Sequence, residues 1–149
     1  MTCTVGEMAQ RMDLSTSTLR YYEKEGLLPM VDRTGGGQRL YRDEDEQRLR
    51  IIACLKKTGM SIKDIRNFMD WCAQGDATIS QRKQLMEQQR QVVLEQIQQL
   101  QSTLQTLDYK CWYYAEAEKE GTTAGMEQLQ EEEIPEEVRP GWKNVHHGV

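Results

Sequence analysis

The chain has 149 residues, with 19 Lys or Arg against 24 Asp or Glu for a formal net charge of −5, and 38% of its residues are apolar. One Phe, three Trp and six Tyr are too little aromatic mass for one large globular core, which speaks against an α/β enzyme body and allows a small domain joined to an extended element. No apolar run is long enough to span a membrane and no charged-then-apolar leader opens the chain, so a cytoplasmic protein without a membrane partner is expected. The four cysteines, Cys3, Cys54, Cys72 and Cys111, form no Cys-x-x-Cys pair, and thiol chemistry would be that of single residues. Charge is unevenly spread: residues 1–75 hold 12 Lys or Arg against 11 Asp or Glu, residues 76–149 hold 7 against 13. Local positive charge for a nucleic acid therefore exists only in the first half.

Thr4-Val-Gly-Glu7 has the form of a capping box and opens a first helix that continues through Met8 and Met12. Asp13-Leu14 interrupts it. Ser15 offers a second N-cap, for a short helix over Thr16–Lys24 that Gly26 ends, with Pro29 beyond. The runs Met30–Thr34 and Gln38–Arg42 bracket Gly35-Gly36-Gly37 and predict a small β-ribbon, or wing. A third helix starts at the acids Asp43–Glu46, where the helix dipole favours them, and runs through Leu49, Ile52 and Leu55 to Gly59. Ser61 caps a fourth, Ile62–Ala73, which ends at Gly75. The expected fold is mainly α, a winged helix-turn-helix head over residues 1–76 followed by a long dimerisation helix.

From Thr78 to about Glu118 there is neither Pro nor Gly, and Met86, Arg90, Val93, Ile97, Leu100, Leu104, Leu107, Cys111 and Tyr114 recur at spacings of three and four. Eight of these nine are apolar while the remaining faces are rich in Gln, so the stripe demands a partner helix. A helix of ~40 residues spans about 60 Å, more than the head could cover, and a second copy of the chain is the expected partner. Val93, Ile97, Leu100, Leu104, Leu107 and Cys111 are the expected interface of that homodimer, within a coiled-coil segment over residues 77–120.

Residues 121–149 form an acidic tail with Glu131-Glu132-Glu133, Pro135 and Pro140, for which a short helix around Met126–Glu132 and otherwise disorder or weak docking are expected. Both histidines, His146 and His147, lie there, so no zinc site, iron–sulfur cluster or other cofactor is expected. No acid pair, nucleophile–base pair or phosphate loop can be assembled, and an enzyme is not expected.

The segments Ser15-Thr-Ser-Thr-Leu-Arg-Tyr-Tyr-Glu23, Glu25-Gly-Leu-Leu-Pro29 and Gln38-Arg-Leu-Tyr41, continuing through Ala53–Phe68 and the long helix, resemble the MerR family of bacterial transcription regulators. Gln38 departs from it, standing where many members have an aromatic residue. The helix-turn-helix reading agrees on its own terms. The second helix would enter the major groove with Thr16, Ser17, Arg20 and Tyr21 on its first turns, Arg20 reaching a base edge or phosphate. Arg33 and Arg39 beside the glycine tip, Tyr41 through its phenol, and Lys56 and Lys63 at the junction of the third and fourth helices would touch backbone. Leu19 and Tyr22 read as core, and Tyr41 is open to that reading too. The resemblance implies an antiparallel dimer on double-stranded promoter DNA with an overlong spacer, which the activated form bends and untwists so that RNA polymerase engages both elements. A smooth bend of such a site costs on the order of 1–6 kcal/mol, so contacts at both half-sites are required.

The resemblance implies an effector site C-terminal to the head, and a large ligand domain is not expected in these 149 residues. Cys54, in Ala53-Cys-Leu-Lys-Lys-Thr-Gly-Met60, and Lys110-Cys-Trp-Tyr-Tyr114 resemble a subgroup responsive to aldehydes and related electrophiles, which makes Cys54 the candidate sensor of a small electrophile or ligand. Arg50 and Lys57 favour its thiolate while the helix C-terminal dipole opposes it. A small packed hydrophobe is the competing reading of Cys54, core packing is favoured for Cys111, and neither Cys72 nor Cys3, the latter in a frayed terminus, has a supporting motif. From a different functional class, a coiled-coil adaptor whose winged head binds protein is the alternative, and salt-dependent binding to two-fold-symmetric DNA separates the two.

Overall fold

The computed structural model describes residues 1–28 and 31–148. The expectations that fall on Pro29, as the stop after the second helix, and on Met30, as the start of the wing, lie outside the described residues. Two compact units divide the chain, Met1–Arg90 and Gln91–Val149.

The first unit opens with β1 (Thr2–Thr4), whose last residue caps α1 (Val5–Met12). Thr4 Oγ1 accepts from Glu7 N–H and the Glu7 carboxylate accepts from Thr4 N–H at 2.7 Å, the reciprocal box that the sequence predicts. Asp13 turns the chain in the left-handed region, φ 53°, a conformation that Asp tolerates better than most residues. Ser15 then caps α2 (Thr16–Lys24), its Oγ accepting from Thr18 N–H at 3.1 Å. The wing is β2 (Asp32–Arg33) and β3 (Arg39–Arg42), antiparallel with Arg33 opposite Arg39. Its tip closes through Thr34 N–H to Gln38 O and Gly37 N–H to Thr34 O, both 2.8 Å, with Gly37 at φ +82°.

The sheet has a third strand that sequence reading did not foresee. β1 pairs with β3 on the side away from β2, placing Cys3 opposite Tyr41 and burying it. Cys3 is thus a strand residue in the core, not part of a frayed end, and burial pushes its thiol pKa up. α3 (Asp43–Lys57) and α4 (Ile62–Gln74) follow, α4 capped by Ser61 as expected. Leu19, Leu27, Tyr41, Leu49, Ile52 and Ile65 form the centre of the core, which Leu85 joins from the first turns of α5 (Ile79–Glu120).

The second unit contains the rest of α5, two single-turn 3₁₀ helices at Met126–Gln128 and Glu131–Glu133, and α6 (Arg139–His147). α6 corrects the expectation of an irregular tail. Pro140 falls in its first turn, where a missing N–H costs nothing, and Gly141 lies so close to α5 that a Cβ there would overlap the Gln105 carbonyl. Asn144 Nδ2 donates to Ser102 O at 3.0 Å, and Trp142 stacks on His146 with centroids 4.5 Å apart. This contact buries Tyr109, which is nine residues from Leu100 and so about two and a half turns away, on the opposite side of α5.

Candidate nucleic-acid interface

α2 presents two faces. Leu19 and Tyr22 point into the core, as the sequence reading has them, while Ser17, Arg20 and Tyr21 are exposed and Thr16 is half-buried at the first turn. Burial pushes the Tyr22 phenol up in pKa. Among the described residues Arg20 has no carboxylate within ion-pair distance, so its guanidinium is available to a phosphate or a base edge. Lys56 in the last turn of α3 and Lys63 in the first turn of α4 are likewise exposed and unpaired among the described residues.

The wing is wired differently. Arg39 Nε donates to Glu23 Oε2, in the last turn of α2, at 2.5 Å, and Arg33 Nη2 stands 3.7 Å from Glu23 Oε1. The bond to Glu23 holds the Arg39 guanidinium charged beyond its ordinary range. Arg33 and Arg39 are therefore brought together on one carboxylate, a partner that sequence reading did not assign; the signal was the Glu23 that follows Arg20-Tyr21-Tyr22. On the outer side, Arg42 pairs with Asp32.

Tyr41 requires a correction. Its side chain is 0% exposed and, among the described residues, its hydroxyl has no hydrogen-bond partner, so it presents no surface to DNA and belongs to the core. β3 is the central strand, and side chains alternate along it; Tyr41 falls on the inward face. Burial pushes its pKa up, and the Glu23 carboxylate adds to the effect.

Away from this surface, Cys54 is exposed on α3 rather than packed as a core hydrophobe. It lines a cleft of about 420 Å³ with Ile51, Leu55, Phe68, Ile79 and Met86, with Arg82 and Lys83 at the rim. Arg82 is committed to the Gly75 carbonyl at 3.0 Å. In the second unit Ile97, Leu100, Leu104 and Leu107 are exposed large apolar residues and Cys111 is exposed with them, whereas Val93 is half-buried. Among the described residues no group of three or more His, Cys, Asp or Glu could hold a metal ion, and no helix is long and apolar enough to cross a membrane.

A family model for MerR HTH family regulatory proteins matches residues 3–71, and a second, for MerR DNA binding, matches residues 46–109. An HTH-type transcriptional regulator of Haemophilus influenzae is 42% identical over 126 residues, 85% of this chain and 93% of that protein. The chain belongs to the MerR family. Its helical fold with a winged helix-turn-helix head matches solved MerR structures, among them HiNmlR, a MerR regulator lacking the sensor domain that was solved bound to promoter DNA. That likeness has a TM-score of 0.64 at 42% identity over 84% of this chain and 99% of that one. The HTH-type transcriptional regulator AdhR of Bacillus subtilis is 34% identical over 91 residues, 61% of this chain and 65% of that protein. The family is one of DNA-binding transcriptional regulators, which favours a regulator over a protein-binding adaptor.

Proposed function

We propose that the protein works as a homodimer on a promoter with an overlong spacer, distorting the DNA so that RNA polymerase can engage both promoter elements. The observation that carries this reading is the likeness to HiNmlR, which runs over 99% of a chain solved on promoter DNA. The exposed Ser17, Arg20 and Tyr21 would read the major groove, with Thr16 at its edge, and Arg33, Lys56 and Lys63 would hold phosphate. In this reading residues 1–76 are the DNA-binding head, 77–120 the dimerisation helix and 121–149 an acidic tail. Ile97, Leu100, Leu104 and Leu107 would form the seam with Val93 and Cys111, because an exposed stripe at three- and four-residue spacing is the surface that a second helix covers. The test is selection of duplexes from a random library by the full-length chain. Enrichment of a two-fold-symmetric sequence is expected, and failure to enrich any sequence contradicts the reading.

The switch we assign to Cys54. Its exposure and its place at the wall of an apolar cleft support access by a small carbonyl electrophile. The thiolate sulfur attacks the carbonyl carbon, the C=O π pair moves to oxygen, and that oxygen takes a proton from water, giving a hemithioacetal. Such an adduct crowds Phe68 of α4 and Ile79 and Met86 of α5, and overpacking of ~1–3 kcal/mol is comparable to the DNA deformation energy. Cys54→Ser should keep operator affinity and lose induction by formaldehyde or methylglyoxal in a reconstituted transcription reaction. Full induction by that variant would contradict the assignment.

A further inference from the structure

Arg33 and Arg39 sit directly opposite each other in the β2–β3 ladder, so two like charges face across one pair of strands. Glu23 from α2 is the carboxylate that relieves this, and it does so unequally. Arg39 is bonded to it at 2.5 Å with its side chain 27% exposed; Arg33 stands at 3.7 Å and is 51% exposed. We propose that Glu23 is a positioning residue for DNA recognition, holding Arg39 as a strut between recognition helix and wing and leaving Arg33 as the wing cation that meets phosphate. The proposal rests on the reading of α2 and the wing as the DNA-contacting surface.

Three observations support the division. Moving Arg39 to a phosphate would strip a half-buried carboxylate of its short charge-assisted bond just where a second anion arrives, which is costly. Moving Arg33 gives up a long, solvent-screened pair with Glu23 and an exposed 3.4 Å hydrogen bond to the Gly37 carbonyl, both worth little. The strands differ as well. Arg39 lies on the central strand, which the buried Tyr41 two residues later anchors in the core, whereas Arg33 lies on the outer strand and can follow a DNA backbone. The wing therefore has no freedom to choose between its arginines. Through the Glu23–Arg39 bond, the last turn of α2 sets the position of β3, and with it the distance between the groove-reading face and the phosphate-holding edge.

The test is a set of full-length variants titrated with a duplex enriched by the wild-type chain from a random library and with a scrambled duplex, over a range of salt. Arg33→Gln should flatten the plot of log affinity against log salt by about one unit per wing. Arg39→Gln should leave that slope unchanged while lowering the ratio of specific to scrambled binding by about tenfold, and Glu23→Gln should lower the ratio to the same extent. The double variant Glu23→Gln, Arg39→Gln should be no worse than either single one, and the charge swap Glu23→Arg, Arg39→Glu should recover much of the ratio. The swap keeps the proposal testable where a single variant loses its fold, because it restores the ion pair. An Arg39→Gln slope as flat as that of Arg33→Gln, a Glu23→Gln variant with a higher ratio, or a swap as poor as the single variants would each overturn the proposal. A wild-type chain that enriches no duplex from the library, even at low salt, would overturn the DNA-contact reading and the proposal together.

Discussion

Leu49 and Leu100 are the same side chain on two helices of one chain, and Leu49 is 0% exposed while Leu100 is 69% exposed. Full burial of a leucine contributes about 1.5–3 kcal/mol, so the first unit collects that energy within itself and the middle of α5 does not. The head closes its core with three strands, four helices and the opening turns of α5. Further along, the same helix is covered on its Tyr109 side by α6 while the Leu100, Leu104 and Leu107 side is left bare. A stripe kept apolar yet uncovered within the chain is the surface that the proposed second copy would cover, and the contrast sets a core closed within the chain against a face left open.

The strongest way to break the comparison is at the bare stripe. Leu100→Asp with Leu104→Asp would place carboxylates in the seam, each buried and unpaired at a cost of several kcal/mol. Light scattering should then fall from about twice 17.4 kDa to the single-chain mass. A variant that stays at the higher mass would show that the interface lies elsewhere. On the covered side, Gly141→Leu should undock α6, since even a Cβ has no room against Gln105, with an effect on the order of 1–3 kcal/mol. The near-ultraviolet circular dichroism of Trp142 on His146 would report it, and an unchanged spectrum would contradict the close approach. The stripe and the head should remain intact in that variant.

Arg20→Ala probes the head from outside. Loss of a base-edge contact should weaken specific binding by ~1–3 kcal/mol and leave the melting temperature nearly unchanged, because Arg20 makes no ion pair within the fold among the described residues. Equal binding at matched salt would remove this face from the interface. The smallest effect comes from pH. Glu7 is held below the ordinary carboxylate value of 4.5 by the Thr4 N–H and hydroxyl, and Glu46 is held below it first by its hydrogen bond from Arg50. A depressed pKa in the fold means that the stabilisation is present above 4.5 and is lost as the pH falls through the lower folded value. The melting temperature should show no loss from these groups well above pH 4.5 and should decline as the pH falls from there through the folded values, and Glu7→Gln should make the decline shallower; a decline beginning near neutrality would point to other groups.

Local chemistry was legible in the sequence wherever one residue decides it. Thr4 with Glu7, Ser15 and Ser61 mark helix starts, and the three- and four-residue spacing from Met86 to Tyr114 marks α5. Features that depend on distant partners were not. β1 has three residues and no pattern of its own, and only its pairing with β3 buries Cys3. α6 hides behind Pro140, which reads as a break in sequence, and its contact with α5 depends on Gly141, whose role shows only once Gln105 lies against it. In the interface, the exposed side of α2 followed from which residues its core side uses, but the inward turn of Tyr41 depends on β3 being a central strand. The unequal hold of Glu23 on Arg33 and Arg39 depends on the wing folding back on α2, a contact across 16 positions for Arg39.

The central claim, two heads joined by an α5 seam and reading one DNA site, is tested most directly by hydroxyl-radical footprinting of the full-length chain on a duplex that it selects. The account predicts two protected patches on one face of the duplex, related by a two-fold axis and spaced by a multiple of about 34–36 Å, both lost together in the Leu100→Asp, Leu104→Asp variant at concentrations where the wild type saturates. A single protected patch, or a pair that survives in that variant, would contradict it.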